Sequence, residues 1–234
     1  MQLNQRPSLQ AVFAATCAAH GDRQAVVFYG DDGQAHRRTY AELYRDARHL
    51  AANLLRAGLA RGDHVAVWMP NSYHWLVVRF GVALAGLVLV PLNTRLRRDD
   101  LAQILRSSDA RALVTDEQFA SIDYLQILRS VGVLNAGGVV VRPEMAPRLD
   151  LVISAAANAS AGLVPLQSLL GEPPAGGASL PLPDPDDVLN IIFTSGTTSL
   201  PKGVVVQNGA ATQNLLRINE RWGQQAADTF MLCQ

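Results

Sequence analysis

Asp187-Val-Leu-Asn-Ile-Ile-Phe193 is followed directly by Thr194-Ser-Gly-Thr-Thr-Ser-Leu-Pro-Lys-Gly203, and then by Val204-Val-Val206. This order predicts an apolar strand, a loop of hydroxyls with one glycine and one lysine, and a second apolar strand. The hydroxyls are neutral hydrogen-bond donors, Gly196 leaves the backbone amides accessible, and Lys202 adds a mobile positive charge. Together these groups are suited to binding a polyphosphate.

The spacing of this loop excludes two common phosphate-binding motifs. A Walker loop needs Gly-x-x-x-x-Gly-Lys-Ser/Thr, and counting from Gly196 places Pro201 at the second glycine and Gly203 at the hydroxyl residue. The dinucleotide-binding pattern Gly-x-Gly-x-x-Gly does not occur in the chain. A solvated turn between two strands is the alternative, since Gly, Ser, Thr and Pro are all turn residues. The ordered Pro-Lys-Gly and the apolar flanks favour the phosphate loop.

The loop resembles the signature of the adenylate-forming superfamily, which contains acyl- and aryl-CoA synthetases, peptide-synthetase adenylation domains and luciferases. That signature reads Thr/Ser-Ser/Thr-Gly-Thr-Thr-Gly/Ser-x-Pro-Lys-Gly, and all ten positions from Thr194 to Gly203 fit it. The resemblance implies that the loop wraps the phosphates of ATP. The implied ATP-binding residues are Thr194, Ser195, Gly196, Thr197, Thr198, Ser199, Lys202 and Gly203.

The resemblance also implies a reaction in two steps. A substrate carboxylate attacks the α-phosphate of Mg-ATP, pyrophosphate leaves, and a thiol, most simply that of coenzyme A, takes the acyl group from the adenylate. Lys202 is the implied catalytic residue because it offsets the charge on departing pyrophosphate; the alternative is a solvated lysine at a strand end. The implied cofactors are ATP, Mg²⁺ and coenzyme A, and the implied substrate is a fatty or aromatic carboxylic acid. No metal ligands are assigned.

The likeness extends to earlier parts of the chain. Thr39-Tyr-Ala-Glu-Leu43, residues 62–72 and residues 83–93 are similar to successive N-terminal blocks of acyl-CoA synthetases. The family's remaining machinery lies C-terminal to the loop, whereas this chain stops at Gln234, thirty-one residues after Gly203. We therefore expect the N-terminal part of the large domain, which alone makes no acyl-CoA.

One segment departs from the family pattern. After the loop the family usually has a Thr-His-x-Asn-like helix start, whereas this chain has Gln207-Asn-Gly-Ala-Ala-Thr212. The absence of that histidine removes no phosphate contact, but it raises the question of how the chain packs beside the loop.

The chain before the loop alternates between helical and strand patterns. Thr39 and Glu42 form a capping box that begins an amphipathic helix, and Gly58 ends it. Strands are then predicted at residues 64–69, 87–92 and 111–115, with helices at residues 73–85 and 99–106. This alternation predicts an α/β fold with mainly parallel sheets flanked by helices and connected by right-handed crossovers.

The second half of the chain gives weaker patterns. A helix is predicted at residues 122–131, and strands at residues 138–141, 149–153 and 229–233. An unpaired edge on the last strand would favour self-association. We expect residues 191–193 and 204–206 to be buried strands around an exposed loop of residues 195–202. The predicted units are an α/β subdomain (residues 1–170), a Pro/Gly-rich linker (171–187) and the start of the phosphate-loop subdomain (188–234).

Composition restricts the location and the partners. With 49% hydrophobic residues and a formal net charge of zero among 234 residues, the chain offers no strong field to nucleic acid. The uncharged residues 80–90 are about half the ~20 residues that a transmembrane helix needs, and the alanine-rich residues 11–19 only faintly resemble a secretory signal. Cys17 and Cys233 match no metal or redox spacing, and the five histidines include no pair at metal-site spacing. A cytoplasmic location is predicted.

Three functional hypotheses follow. The first is an N-terminal portion of an ATP-dependent acyl-CoA synthetase. The second is the adenylation domain of a peptide-synthetase type enzyme. The third is a non-catalytic remnant that folds and binds a nucleotide or a partner chain. A downstream continuation with the ribose-binding aspartate and the terminal lysine of the family would favour an enzyme.

Overall fold

A seven-stranded sheet organises the protein, whose computed structural model describes residues 6–30, 33–141, 146–173, 179–194 and 201–231. The helices are α1 (Leu9–His20), α2 (Tyr40–Arg56), α3 (Tyr73–Leu84), α4 (Arg98–Ser108), α5 (Tyr124–Ser130), α6 (Leu166–Leu169) and α7 (Asn208–Trp222). The strands are β1 (Gln24–Tyr29), β2 (Ala35–Thr39), β3 (His64–Trp68), β4 (Val88–Pro91), β5 (Ala110–Thr115), β6 (Gln118–Phe119), β7 (Ile122–Asp123), β8 (Leu151–Ser154), β9 (Val164–Pro165), β10 (Val188–Thr194) and β11 (Lys202–Gln207).

The strand order in the main sheet is β11-β10-β4-β3-β5-β8-β9. All neighbours are parallel except β10 and β11, which form an antiparallel hairpin at one end. The predicted α/β fold with a mainly parallel sheet is therefore confirmed. Because β4 lies on one side of β3 and β5 on the other, the chain changes direction at β3. In open α/β sheets, ligands bind beyond the carboxyl ends of the strands near such a point.

The capping box predicted at the start of α2 is present. Thr39 Oγ1 accepts a hydrogen bond from the Glu42 backbone N–H at 3.2 Å, and Glu42 Oε2 accepts one from the Thr39 N–H at 2.7 Å. The hydrogen bond from the Thr39 backbone lowers the pKa of the Glu42 carboxyl. Gly58 follows the helix with a φ of +96°, a conformation that favours glycine.

The sheet has an apolar core on each face. On one face, α1, α2 and α3 contribute Phe13, Leu50, Leu54 and Val77, all buried. On the other face, the indole of Trp68 stacks on the ring of Tyr124 with 3.7 Å between ring centroids. The Tyr124 hydroxyl donates to the Thr94 carbonyl at 2.6 Å, and burial raises the pKa of Tyr124 to about 12. Both faces are covered, as a parallel sheet requires.

Two predicted strands are wrong. Residues 229–231 have no regular structure, and Phe230 and Met231 are exposed; residues 232–234 lie outside the described part. An apolar run forms a strand only where a sheet offers it a partner, and in the described structure this segment pairs with none. The predicted self-association through that segment stays a prediction. At residues 138–141 there is a single bridge, Leu134 to Val140, because the two glycines at 137 and 138 form a turn.

The other predicted helices and strands are present, with shifted ends. The helix predicted at residues 122–131 begins at Tyr124, since the Asp123 side chain accepts a hydrogen bond from the Gln126 N–H at 2.8 Å and caps it. The division of the chain into three units stays a prediction, and β10 pairs with β4 across its proposed boundaries. None of the helices in the described ranges is long and apolar enough to cross a membrane.

Candidate functional site

The β10–β11 hairpin holds the two ends of the predicted phosphate loop side by side. In the antiparallel ladder, Thr194 lies opposite Lys202 and Phe193 lies opposite Gly203. The intervening candidates Ser195, Gly196, Thr197, Thr198 and Ser199 lie outside the described residues. Because β10 runs parallel to β4, its last residue, Thr194, lies at the carboxyl edge of the sheet. That edge is where ligands bind in sheets of this kind.

Thr194 and Lys202 lie on the same face of the hairpin, because directly paired residues project to the same side. Both are exposed. Lys202 forms no ion pair with any of the residues that the structure describes.

The two strands of the hairpin are not buried, contrary to the prediction. Ile192 is 42% exposed, Val204 is 49% exposed and Val205 is 58% exposed. The reason is the position of the hairpin: β11 is the end strand of the sheet, and β10 pairs with β4 only between Asn190 and Leu89. A run of apolar residues predicts a strand but does not reveal whether another element covers it.

Gly203 has a packing role that the sequence did not reveal. A Cβ atom at this position would lie 2.9 Å from Ile191 Cγ2 and 3.2 Å from Phe193 Cζ. Ile191 and Phe193 pack against the core cluster on the Trp68 side of the sheet. Gly203 therefore permits two apolar side chains to lie across β11, and its predicted contact with phosphate stays a prediction.

Asn208 answers the question raised by the missing histidine after the loop. Its side chain is only 1% exposed, accepts a hydrogen bond from the Leu9 N–H at 2.8 Å and donates one to Gln10 Oε1 at 2.7 Å. It also donates to the Asp184 carbonyl at 3.2 Å. The asparagine thus connects α1, α7 and the segment before β10, so local packing is satisfied. The one sequence signal for this network is a glutamine in the apolar helix α1.

A second polar contact, also missed from the sequence, joins α3 to β10. Arg79 Nη1 donates to Asn190 Oδ1 at 2.6 Å. Burial lowers the pKa of Arg79 to about 10. No carboxylate among the described residues forms an ion pair with Arg79, so its charge faces a neutral acceptor.

A pocket of about 470 Å³ lies at the loops that follow β4 and β5. It is lined by Arg95, Leu96, Arg97, Arg98, Phe119, Ala120, Ser121, Ile122 and Ile127. Arg98 pairs with Asp99 at 2.7 Å, whereas Arg95 and Arg97 are exposed and form no ion pair within the described ranges. Ala120 has a φ of +51°, a left-handed conformation that is strained for alanine. Two unpaired guanidinium groups beside an aromatic ring are suited to an anionic ligand.

The carboxylates that the structure describes at the same edge do not form a metal site. Glu117, directly after β5, accepts hydrogen bonds from Ser154 Oγ at 2.7 Å and from the Ser160 N–H at 2.7 Å. Its oxygens are thus used to hold the loop after β8. Across the described parts of the chain, no group of three His, Cys, Asp or Glu residues could hold a metal ion.

A sequence profile for the AMP-binding enzymes matches residues 13–234. The chain belongs to this family. The resemblance seen in the loop and the earlier blocks is thereby confirmed, and so is the assignment of the fold to the N-terminal part of the large domain of an adenylate-forming enzyme.

Curated members of the AMP-binding family show how similar the chain is to its relatives and how much of their length it covers. The chain is 32% identical to a mitochondrial medium-chain acyl-CoA ligase of Danio rerio, over 93% of this chain and 37% of the relative. It is also 32% identical to a crotonobetaine/carnitine–CoA ligase of Citrobacter koseri, over 85% of this chain and 36% of the relative. The chain therefore spans a little over a third of the length of these curated relatives.

A solved structure supports the fold of this AMP-binding chain. The apo structure of MbtA from Mycobacterium smegmatis superimposes with a TM-score of 0.77 at 25% sequence identity, over 96% of this chain and 38% of that chain. Family membership and fold are thus established together. The roles of single residues in the phosphate loop stay predictions.

Proposed function

We propose that this chain forms the phosphate-binding part of an ATP-dependent acid–thiol ligase. The ligase activates a carboxylic acid as an acyl-adenylate and transfers the acyl group to the thiol of coenzyme A. The observation that carries the proposal is the hairpin at the carboxyl edge of the sheet, where Thr194 and Lys202 lie opposite each other at the ends of the family's signature loop.

In this proposal the loop residues bind and orient the ATP phosphates. The hydroxyls of Thr194, Ser195, Thr197, Thr198 and Ser199 donate to the β- and γ-phosphate oxygens, and the backbone amides at Gly196 and Gly203 add further donors. Lys202 neutralises charge as pyrophosphate departs. Magnesium bound with ATP supplies further charge neutralisation, and no metal ligand of this chain is assigned. The mechanism depends mainly on positioning, since nucleotidyl transfer needs little covalent help from protein.

The arginine-lined pocket supports coenzyme A as the acceptor. Coenzyme A carries several phosphate groups and an adenine, which match exposed guanidinium groups and an aromatic ring. Arg95, Arg97 and Phe119 provide these groups within one cavity of about 470 Å³. A carrier-protein thiol, the acceptor for a peptide-synthetase type enzyme, lacks the adenine of coenzyme A and so makes less use of the aromatic ring. The acid itself is proposed only as a fatty or aromatic carboxylic acid, and a cytoplasmic location is likewise proposed.

We expect the isolated chain to bind Mg-ATP and inorganic pyrophosphate competitively. Both ligands place phosphates at the signature loop, whose ends are held by the hairpin. Isothermal titration of each ligand, followed by displacement of ATP with pyrophosphate, measures this. A folded chain that binds neither ligand at millimolar concentration would contradict the proposal.

We also expect Arg95→Ala and Arg97→Ala each to weaken coenzyme A binding about tenfold, or ~1.4 kcal/mol, with the effect shrinking at high salt. Both guanidinium groups line the pocket and are free of ion pairs with described residues. Arg106→Ala is the matched control, because Arg106 is exposed on α4 outside the pocket. Titration with coenzyme A at two salt concentrations provides the measurement. Affinities of Arg95→Ala and Arg97→Ala that equal the affinity of the control would remove the pocket from the proposal.

A further inference from the structure

The hairpin that carries the phosphate loop lies beside β4 and has one ladder pair with it. Asn190 pairs with Leu89 of β4, and no other residue of β10 is in that ladder. Beyond Asn190, β10 pairs only with β11, up to Thr194 opposite Lys202. Four residues of extended strand span about 13 Å. A change of about 10° in strand direction at Asn190 therefore moves the loop ends by about 2 Å.

The two faces of the hairpin are held in different ways. Ile191 and Phe193 project to one face and pack against the apolar core there. Asn190, Ile192 and Thr194 project to the opposite face, since side chains alternate along a strand. On that face Ile192 remains 42% exposed. The hydrogen bond from Arg79 to Asn190, at 2.6 Å, joins α3 to β10 on this side.

The chemistry of this contact is unusual for a purely structural one. A guanidinium charge inside protein is unfavourable unless it is paired, and no described carboxylate pairs with Arg79. Two apolar residues would hold a helix against a strand without that penalty. A charged donor on a neutral acceptor nevertheless gives a short, directional bond, and removal of either partner leaves the other half-buried without its partner. The pair therefore fixes the orientation of β10 relative to α3 more than it strengthens the packing between them.

We propose that Arg79 and Asn190 form a positioning contact that sets the direction of the β10–β11 hairpin and hence the placement of Thr194 and Lys202 at the carboxyl edge of the sheet. The inference rests on the proposed function, because the placement matters only if the loop binds phosphate. Arg79 touches no phosphate in this arrangement; it acts through Asn190. A displacement of 1 Å in a group that positions substrate can reduce a rate about 100-fold.

The test compares three variants of the whole chain. Arg79→Leu removes the donor, Arg79→Gln keeps a neutral donor, and Asn190→Asp gives the guanidinium a charged acceptor. Leu76→Ala is the matched control, because Leu76 lies on the same helix and packs against the core. Amide hydrogen exchange is followed separately in the hairpin and in β3, and Mg-ATP affinity is measured by titration.

For Arg79→Leu we expect exchange in residues 190–194 and 202–206 to accelerate at least tenfold relative to β3, and Mg-ATP affinity to fall about tenfold. Asn190→Asp is expected to slow hairpin exchange, and Arg79→Gln to restore most of the wild-type behaviour. Acceleration in β3 equal to that in the hairpin, as expected for Leu76→Ala, would overturn the proposal. So would unchanged hairpin exchange in Arg79→Leu.

The exchange measurement separates this inference from the proposed function. If the wild-type chain binds no Mg-ATP, the proposed function fails, whatever the hairpin does. If the wild-type chain binds Mg-ATP and Arg79→Leu loosens the hairpin without weakening that binding, the contact does not position the loop and only this inference fails. Loosening with weaker binding, reversed by Arg79→Gln, supports it.

Discussion

Lys202→Ala is expected to slow carboxylate-dependent ATP–pyrophosphate exchange about 100-fold in a chain that carries the complete reaction, while the free energy of unfolding changes by less than about 0.5 kcal/mol. Lys202 is exposed at the end of β11 and forms no ion pair with the described residues, so its removal leaves the core intact. A positive charge beside departing pyrophosphate, in contrast, stabilises the transition state directly.

The exchange assay isolates the step in which Lys202 is proposed to act. Gln207→Ala is the matched control, because Gln207 is an exposed residue at the other end of the same strand. Lys202→Arg, which keeps the charge in a wider and planar group, is expected to retain part of the rate. If Lys202→Ala is well folded and exchanges pyrophosphate as fast as the control, Lys202 has no part in the mechanism.

The elements predicted well are those that local signals specify. The start of α2 is defined by reciprocal hydrogen bonds between Thr39 and Glu42, three residues apart, and its end by Gly58 with a positive φ. The strands β3, β4 and β5 are short apolar runs between such helices, and the right-handed crossover rule leaves a parallel sheet as the arrangement. Nothing distant in sequence is needed to find these elements.

The burial of the hairpin strands could not be predicted from local sequence signals. Ile191, Ile192 and Phe193 are as apolar as the residues of β3, yet Ile192 is 42% exposed because β10 and β11 stand at the end of the sheet. The order of strands is a property of the whole chain. Residues 229–231 show the opposite case: their sequence is typical of a strand, but they pair with no strand in the described structure.

The candidate site was likewise only partly accessible from the sequence. The signature loop is contiguous and is therefore visible as a motif. Its supports are not: Arg79 is 111 residues from Asn190, and Gln10 is 198 residues from Asn208. Each of these polar residues alone reads as a surface residue, since its partner is defined only by tertiary packing. The residues that pack around the hairpin are thus the ones that sequence patterns do not reveal.

Gly81→Val is expected to lower the free energy of unfolding by about 3 kcal/mol, because α2 and α3 pack closely at this glycine. A Cβ atom on Gly81 would lie 2.9 Å from Leu50 Cδ2 and 3.1 Å from the Ala47 carbonyl oxygen. Leu50 is fully buried and can yield only by displacing its own neighbours. The main-chain oxygen cannot yield without a shift of the helix.

The same contact predicts a compensation. Leu50→Ala alone is expected to cost 2–5 kcal/mol by opening a cavity. In the double variant the valine methyl groups occupy part of that cavity, so the total loss should be smaller than the sum of the single losses by at least about 1 kcal/mol. Urea unfolding followed by circular dichroism measures the free energy of unfolding of the wild-type chain, the two single variants and the double variant. Leu215→Ala is the control, because Leu215 is half-exposed on α7. Strict additivity would show that the two helices do not meet at Gly81 and Leu50, and the close packing of α2 on α3 would have to be abandoned.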